Sequence, residues 1–113
     1  MSAVLATSVE EVDDTTILRV TGEVDLANAG MLEVAVRNAA RGGEGRTVVD
    51  LTELVYIDSA GLATLHRAWR HCRECGGELI VLVPDDSPCA RTFEVVSLDW
   101  PVARSLPGPS AGR

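Results

Sequence analysis

Apolar positions change their spacing several times along the chain, and each change marks an element. Residues 15–21, TTILRVT, form a β-branched run that closes at Gly22, the signature of a strand and its turn. A weaker strand is expected over residues 3–9, with Asp13–Asp14 turning between the two to make an N-terminal hairpin. From Leu26 to Ala40 the period becomes helical: Leu32, Ala35, Val36 and Ala39 share a face, Asp25 stands where a cap belongs, and Gly42–Gly43 ends the run. RTVVDL, residues 46–51, is a short apolar strand. The pattern predicts a second helix over residues 60–75, with Leu62, Leu65, Trp69 and Cys72 on one face and His66, Arg67, Arg70, Arg73 and Glu74 on the other. Gly76–Gly77 stops it. LIVLV, residues 79–83, reads as a central strand; residues 84–87 are turn-formers, 90–95 a short helix, and 100–105 a last strand or edge segment. PGPSAGR, from residue 107, has no pattern and is expected to be disordered.

Hairpin, helix, strand, helix, strand, helix is an α/β order. A strand–helix–strand unit with so long a helix requires a parallel pair joined by a right-handed crossover. The expected fold is one α/β domain over residues 1–105: a mixed, mostly parallel sheet of four to five strands with an N-terminal β-hairpin, its faces covered by three to four helices. Residues 106–113 are left as a tail.

Composition narrows the partners. The chain has 113 residues, one ordinary domain, and 46% are apolar, enough to bury a core. Only Tyr56, Trp69, Phe93 and Trp100 are aromatic, so that core is aliphatic. Net charge is −7, with no lysine. The first 58 residues hold 11 acids against 4 arginines, whereas the remaining 55 hold 6 of each, so the excess lies in the first half. Such a surface repels phosphate backbones and anionic lipid; neither nucleic acid nor membrane is an expected partner. The N-terminus lacks the features of a signal peptide and no apolar run approaches the length of a membrane span, so a cytoplasmic location is expected. Three cysteines, an odd number, argue against a disulfide framework. Cys72-x-x-Cys75 has no second pair at zinc-finger spacing, and it closes a helix where thioredoxin-like pairs open one. No metal site or cofactor is expected. A regulatory Cys75–Cys89 bridge is the redox alternative.

VYIDSAGL, residues 55–62, carries the candidate chemistry. Ser59 falls where a strand gives way to a helix, the edge at which open α/β folds meet ligands and partners. A helix start offers unpaired N–H groups and partial positive charge, both favourable to a phosphate. Ala60 and Gly61 leave the hydroxyl uncrowded. Serine is also a common N-cap, which would tie its oxygen to a backbone N–H. Asp58 can cap instead, leaving Ser59 at the first helical position with a free hydroxyl. A nucleophilic hydrolase needs a base within hydrogen-bond reach. The G-x-S-x-G elbow would need glycine at Ile57, and His66 lies seven residues on, roughly 10 Å along the helix axis. No catalytic residue is therefore assigned.

VVDLTELVYIDSAGLATL resembles the signature of the STAS domain, and specifically of bacterial anti-sigma-factor antagonists. GEVDLANAG resembles the same family's G-E-x-D loop, and LIVLVPDDSPCARTFEVVSLD its last strand and following short helix. The resemblance covers residues 10–103 in order. It implies that Ser59 is a phosphoacceptor, phosphorylated by an anti-sigma factor with serine kinase activity and reset by a metal-dependent serine phosphatase. It further implies that Asp25, Asp58, Ser59, Ala60 and Gly61 form the partner-facing edge. Many relatives carry a second hydroxyl residue after the serine; here it is Ala60. A non-phosphorylated STAS scaffold or sensor of a nucleotide or small ligand is the alternative within the fold.

Overall fold

β1 (Ala6–Val12) and β2 (Thr15–Val24) form the N-terminal hairpin, antiparallel from Ala6↔Thr21 to Val12↔Thr15. Asp13 makes the turn at a left-handed φ of 54°, a conformation that aspartate tolerates better than most residues. The computed structural model describes residues 4–43, 45–96 and 99–106. After the hairpin come α1 (Ala29–Ala40), a 3-10 turn (Arg41–Gly43), β3 (Arg46–Asp50), β4 (Leu54–Ile57), α2 (Ser59–Glu74), β5 (Glu78–Leu82), α3 (Ala90–Val95) and β6 (Val102–Ala103). The strands lie in the order β1-β2-β3-β5-β6, with β4 attached to β2. Every pairing except β1–β2 is parallel.

Alternation along the strands sorts the core into two parts. Leu18, Val20, Val49, Leu79 and Val81 point to one face, where they pack with Leu32, Val36, Leu65, Cys72, Ala90 and Trp100. All three helices thus contribute to one cluster. Ile17, Val48 and Leu82 point to the opposite face and form a second, small cluster with Ile80 and Ala103 around them. The expectation of helices on both faces is corrected on this point. Arg19 pairs with Glu10 and Asp50, and Arg46 with Glu78, beside that second cluster. Those charges keep part of the helix-free face hydrated.

Other departures have local causes. β1 runs over residues 6–12 rather than 3–9, because residues 6–12 are the ones that lie opposite β2; residues 1–3 fall outside the described residues. β2 does not stop at Gly22. It shifts register between Gly22 and Glu23 and continues to Val24, pairing with β4. Gly22 permits this at φ 96°, where a Cβ would also lie 1.9 Å from the Val4 carbonyl oxygen. β4 is a separate strand, because Asp50 ends β3 by accepting from the Thr52 N–H and hydroxyl. Together with the two-residue β6, it brings the sheet to six strands. The tail from residue 107 lies outside the described residues.

Candidate functional site

The register Val24↔Ile57 aligns the carboxyl ends of β2 and β4, and the Asp58 N–H donates to the Val24 carbonyl at 3.1 Å. The chain then leaves each strand for a helix. Asp25 and Asp58 are therefore the first residues beyond two neighbouring parallel strands, and they open the same edge of the sheet.

Asp58 is the N-cap of α2. One carboxylate oxygen accepts from the Ala60 N–H at 3.0 Å and from the Gly61 N–H at 3.1 Å. Asp58 thus takes the capping role that Ser59 would otherwise fill. Ser59 is the first helical residue and is exposed, and no described residue hydrogen-bonds its hydroxyl. Ala60 is half-buried. Gly61 is fully buried: a Cβ there would meet Ile57 Cγ1 at 2.6 Å and Val24 Cγ1 at 2.7 Å. Gly61 therefore lets α2 sit directly on β2 and β4, and it faces the core rather than the outer edge.

Asp25 does not cap α1. Its carboxylate accepts from the Ala27 N–H at 2.9 Å and the Asn28 N–H at 3.3 Å, making a turn before the helix. α1 consequently begins at Ala29, with Asn28 as the capping residue. Asn28 secures this loop from both ends: its side chain accepts from the Asp25 N–H at 2.9 Å and donates to the Glu23 carbonyl at 2.9 Å. Asn28 does not stand out in the sequence. Its signal, an asparagine three residues after an aspartate in a turn, is common in loops of no special role. Leu26 beside Asp25 is 81% exposed, and Val55 and Tyr56 on β4 are 55% and 48% exposed, so apolar side chains accompany the acids.

The charge balance at Ser59 differs from that of a bare helix start. Asp58 already occupies two amide donors, and the Leu62 N–H bonds the Asp58 carbonyl. A phosphate on Ser59 would stand beside the Asp58 carboxylate, with two amide donors of the first turn already taken.

The remaining candidates are dispersed. Cys72 and Cys89 are buried, and burial pushes both thiols up from the ordinary range. Cys89 donates to the Leu51 carbonyl at 3.8 Å, inside the core, while Cys75 is exposed beside His71, with Sγ 3.7 Å from Nε2. All three are free thiols. Among the described residues no cluster of three metal-ligating side chains occurs. His66, expected on the polar side of its helix, stacks on Trp69 and on Trp100, with ring centroids 5.9 Å apart in both cases. Arg73 lies over the Trp69 ring at 4.8 Å. No helix among the described residues is long and apolar enough to cross a membrane.

The fold is shared with known proteins. A protein of Bordetella bronchiseptica named "Putative anti-sigma factor antagonist BtrV" is 35% identical over 74 residues, 66% of this chain and 64% of its own length. The chain thus spans just under two thirds of that relative. An anti-sigma factor antagonist from Mycobacterium paratuberculosis superposes with a TM-score of 0.62 at 24% identity, over 83% of this chain and 84% of the other. SpoIIAA in its unphosphorylated form superposes with a TM-score of 0.57 at 23% identity, over 78% of this chain and 80% of the other; its phosphorylated form gives 0.57 and 23% over 78% and 79%. At these identities the superpositions establish the fold alone. The family model described as "Mlab, STAS domain" matches residues 7–104, nearly the whole chain, and the protein therefore belongs to the STAS domain family.

Proposed function

We propose that this protein is an anti-sigma-factor antagonist, a binding module and kinase substrate rather than an enzyme, switched by phosphorylation of Ser59. The observation that carries the reading is the free hydroxyl: Ser59 is exposed on the first turn of α2 while its neighbour Asp58 does the capping. The names of the similar proteins support the same role. In this reading the partner is an anti-sigma factor with serine kinase activity, which docks on the edge formed by Asp25, Asp58, Ser59 and Ala60. Gly61 acts beneath them by holding α2 in place. A metal-dependent serine phosphatase restores the free hydroxyl, and the exchange takes place in the cytoplasm.

The physics of release is local. Phosphorylation adds about −1.5 to −2 charges. They join Asp58, and Asp25 on the adjoining loop. Like charges pressed together at an interface are worth several kcal/mol, and a loss of about 2.8 kcal/mol weakens binding a hundredfold. Refolding is not required. The test is incubation with ATPase-type anti-sigma factors and ATP, followed by mass analysis of the Ser59 peptide for one added phosphoryl group. Ser59→Ala is expected to retain partner binding and Ser59→Asp to lose it about tenfold or more, since one full charge supplies only part of the phosphate's effect. Equal binding by the two variants, with no phosphoryl gain on the native protein, would refute the switch.

A further inference from the structure

α1 and α2 lie side by side on the sheet, and a groove of about 320 Å³ runs between them, within the range of small-ligand sites. Its floor is built by Val36 and Ala40 from α1 and by Ala68 and Cys72 from α2. Thr64 joins the floor with its hydroxyl already engaged, donating to the Ala60 carbonyl at 3.0 Å and accepting from Arg67 at 3.2 Å. Burial pushes the Cys72 thiol up from its ordinary range. The floor is therefore mainly apolar, with the Thr64 hydroxyl engaged, and His71 of α2 joins the lining.

The rim is of a different kind. Arg37 projects from α1 and Arg67 from α2, both well exposed, and Glu33 lies between them. Its two carboxylate oxygens stand 2.9 Å from Arg37 Nη2 and 3.5 Å from Arg67 Nη2. Two guanidiniums thus converge on one carboxylate, a local positive excess on a chain of net charge −7. Guanidinium is the side-chain group best shaped to hold a carboxylate. Exposed pairs of this kind are worth about 0–1 kcal/mol, so an incoming anion can take the place of Glu33 at little cost.

We infer that the groove between α1 and α2 binds a small apolar carboxylate, its hydrocarbon body on the Val36–Ala68–Cys72 floor and its carboxylate between Arg37 and Arg67 in place of Glu33. At about 30 Å³ per water-sized group, the groove accommodates about ten such groups, the size of a medium-chain acid. The site is separate from Ser59, and it stands whether or not that serine is phosphorylated.

Octanoate is the probe, titrated into the isotope-labelled full chain with backbone amide shifts as readout. Saturable binding at one site is expected, with shifts centred on Ala40, Thr64 and Ala68. 1-Octanol, with the same tail and no charge, is expected to bind about threefold to fivefold more weakly, the equivalent of one exposed charged pair at up to about 1 kcal/mol. Glu33→Gln removes the resident competitor and is expected to tighten octanoate binding about twofold to fivefold. Ala68→Phe fills the groove and is expected to weaken it about tenfold or more. Glu33 is a surface residue, so its variant remains informative if Ala68→Phe does not fold. No saturation up to about 10 mM, equal binding of octanol, or octanoate affinity that Glu33→Gln leaves unchanged would each overturn the assignment.

Discussion

Asp58 and Ser59 are neighbours with separate duties, and their variants should behave differently. Asp58→Ala removes the acceptor for two amide donors and is expected to destabilise the protein by about 1 kcal/mol. Ser59→Ala removes a hydroxyl that no described residue bonds, and stability should move by no more than about 0.5 kcal/mol. Urea titration of both variants checks the pair of expectations, and the reverse order would make Ser59 the structural cap. The assignment to Asp58 was legible as one of two options, because both residue types cap helices. Backbone geometry decided between them: Asp58 is extended, with φ −103° and ψ −172°, whereas Ser59 is already helical. At Asp25 the same kind of inference failed. An aspartate ahead of a helical pattern suggests the cap, but Asn28 takes the position after an extra turn.

At the scale of elements, α2 is held at its start by the absence of a side chain. Gly61→Ala would place a methyl within 2.7 Å of Val24 and Ile57, both nearly or fully buried. The substitution would raise helix propensity in an isolated helix, yet here it is expected to lower stability by about 1–3 kcal/mol through overpacking. A melting temperature unchanged or raised in Gly61→Ala would show that the α2–sheet contact can relax. The long elements were legible because their periodicity is strong: α2 is within one residue of its expected bounds, and α3 matches them. The β3–β4 break was not. Asp50, Thr52 and Glu53 interrupt residues 46–57, but the stretch of β2 against which a strand ends and restarts leaves no mark in its period.

Across the whole molecule, the two buried thiols report on the integrity of the core. Cys75 should react quickly with a bulky thiol reagent in the native protein, while Cys72 and Cys89 should react only on unfolding. Fast titration of all three thiols under native conditions would contradict this burial. The pH dependence follows from the same burial, since both buried thiols have raised pKa values in the folded state. Their stabilising contribution is complete below the unfolded-thiol value of about 8.5, and it falls as pH rises through the folded values. Alanine at either position should reduce that alkaline loss. The aromatic stack shows how the complete fold reassigns residues. His66 belongs to the polar side of its own helix, but Trp100, from a distant segment, turns it into a packing residue.

The order of the elements other than β4, the α/β class, the acidic character and the place of Ser59 at a strand-to-helix junction were all determined locally. Each depends on spacing, propensity or charge among residues close along the chain, so a linear reading suffices. Three features belonged to the tertiary structure alone: the pairing of β4 with β2 that sets Asp25 and Asp58 on one edge, the inward face of Gly61, and the groove that brings Glu33 of α1 between Arg37 and Arg67. They depend on contacts between segments far apart in sequence, and only packing on the sheet decides which of those contacts form.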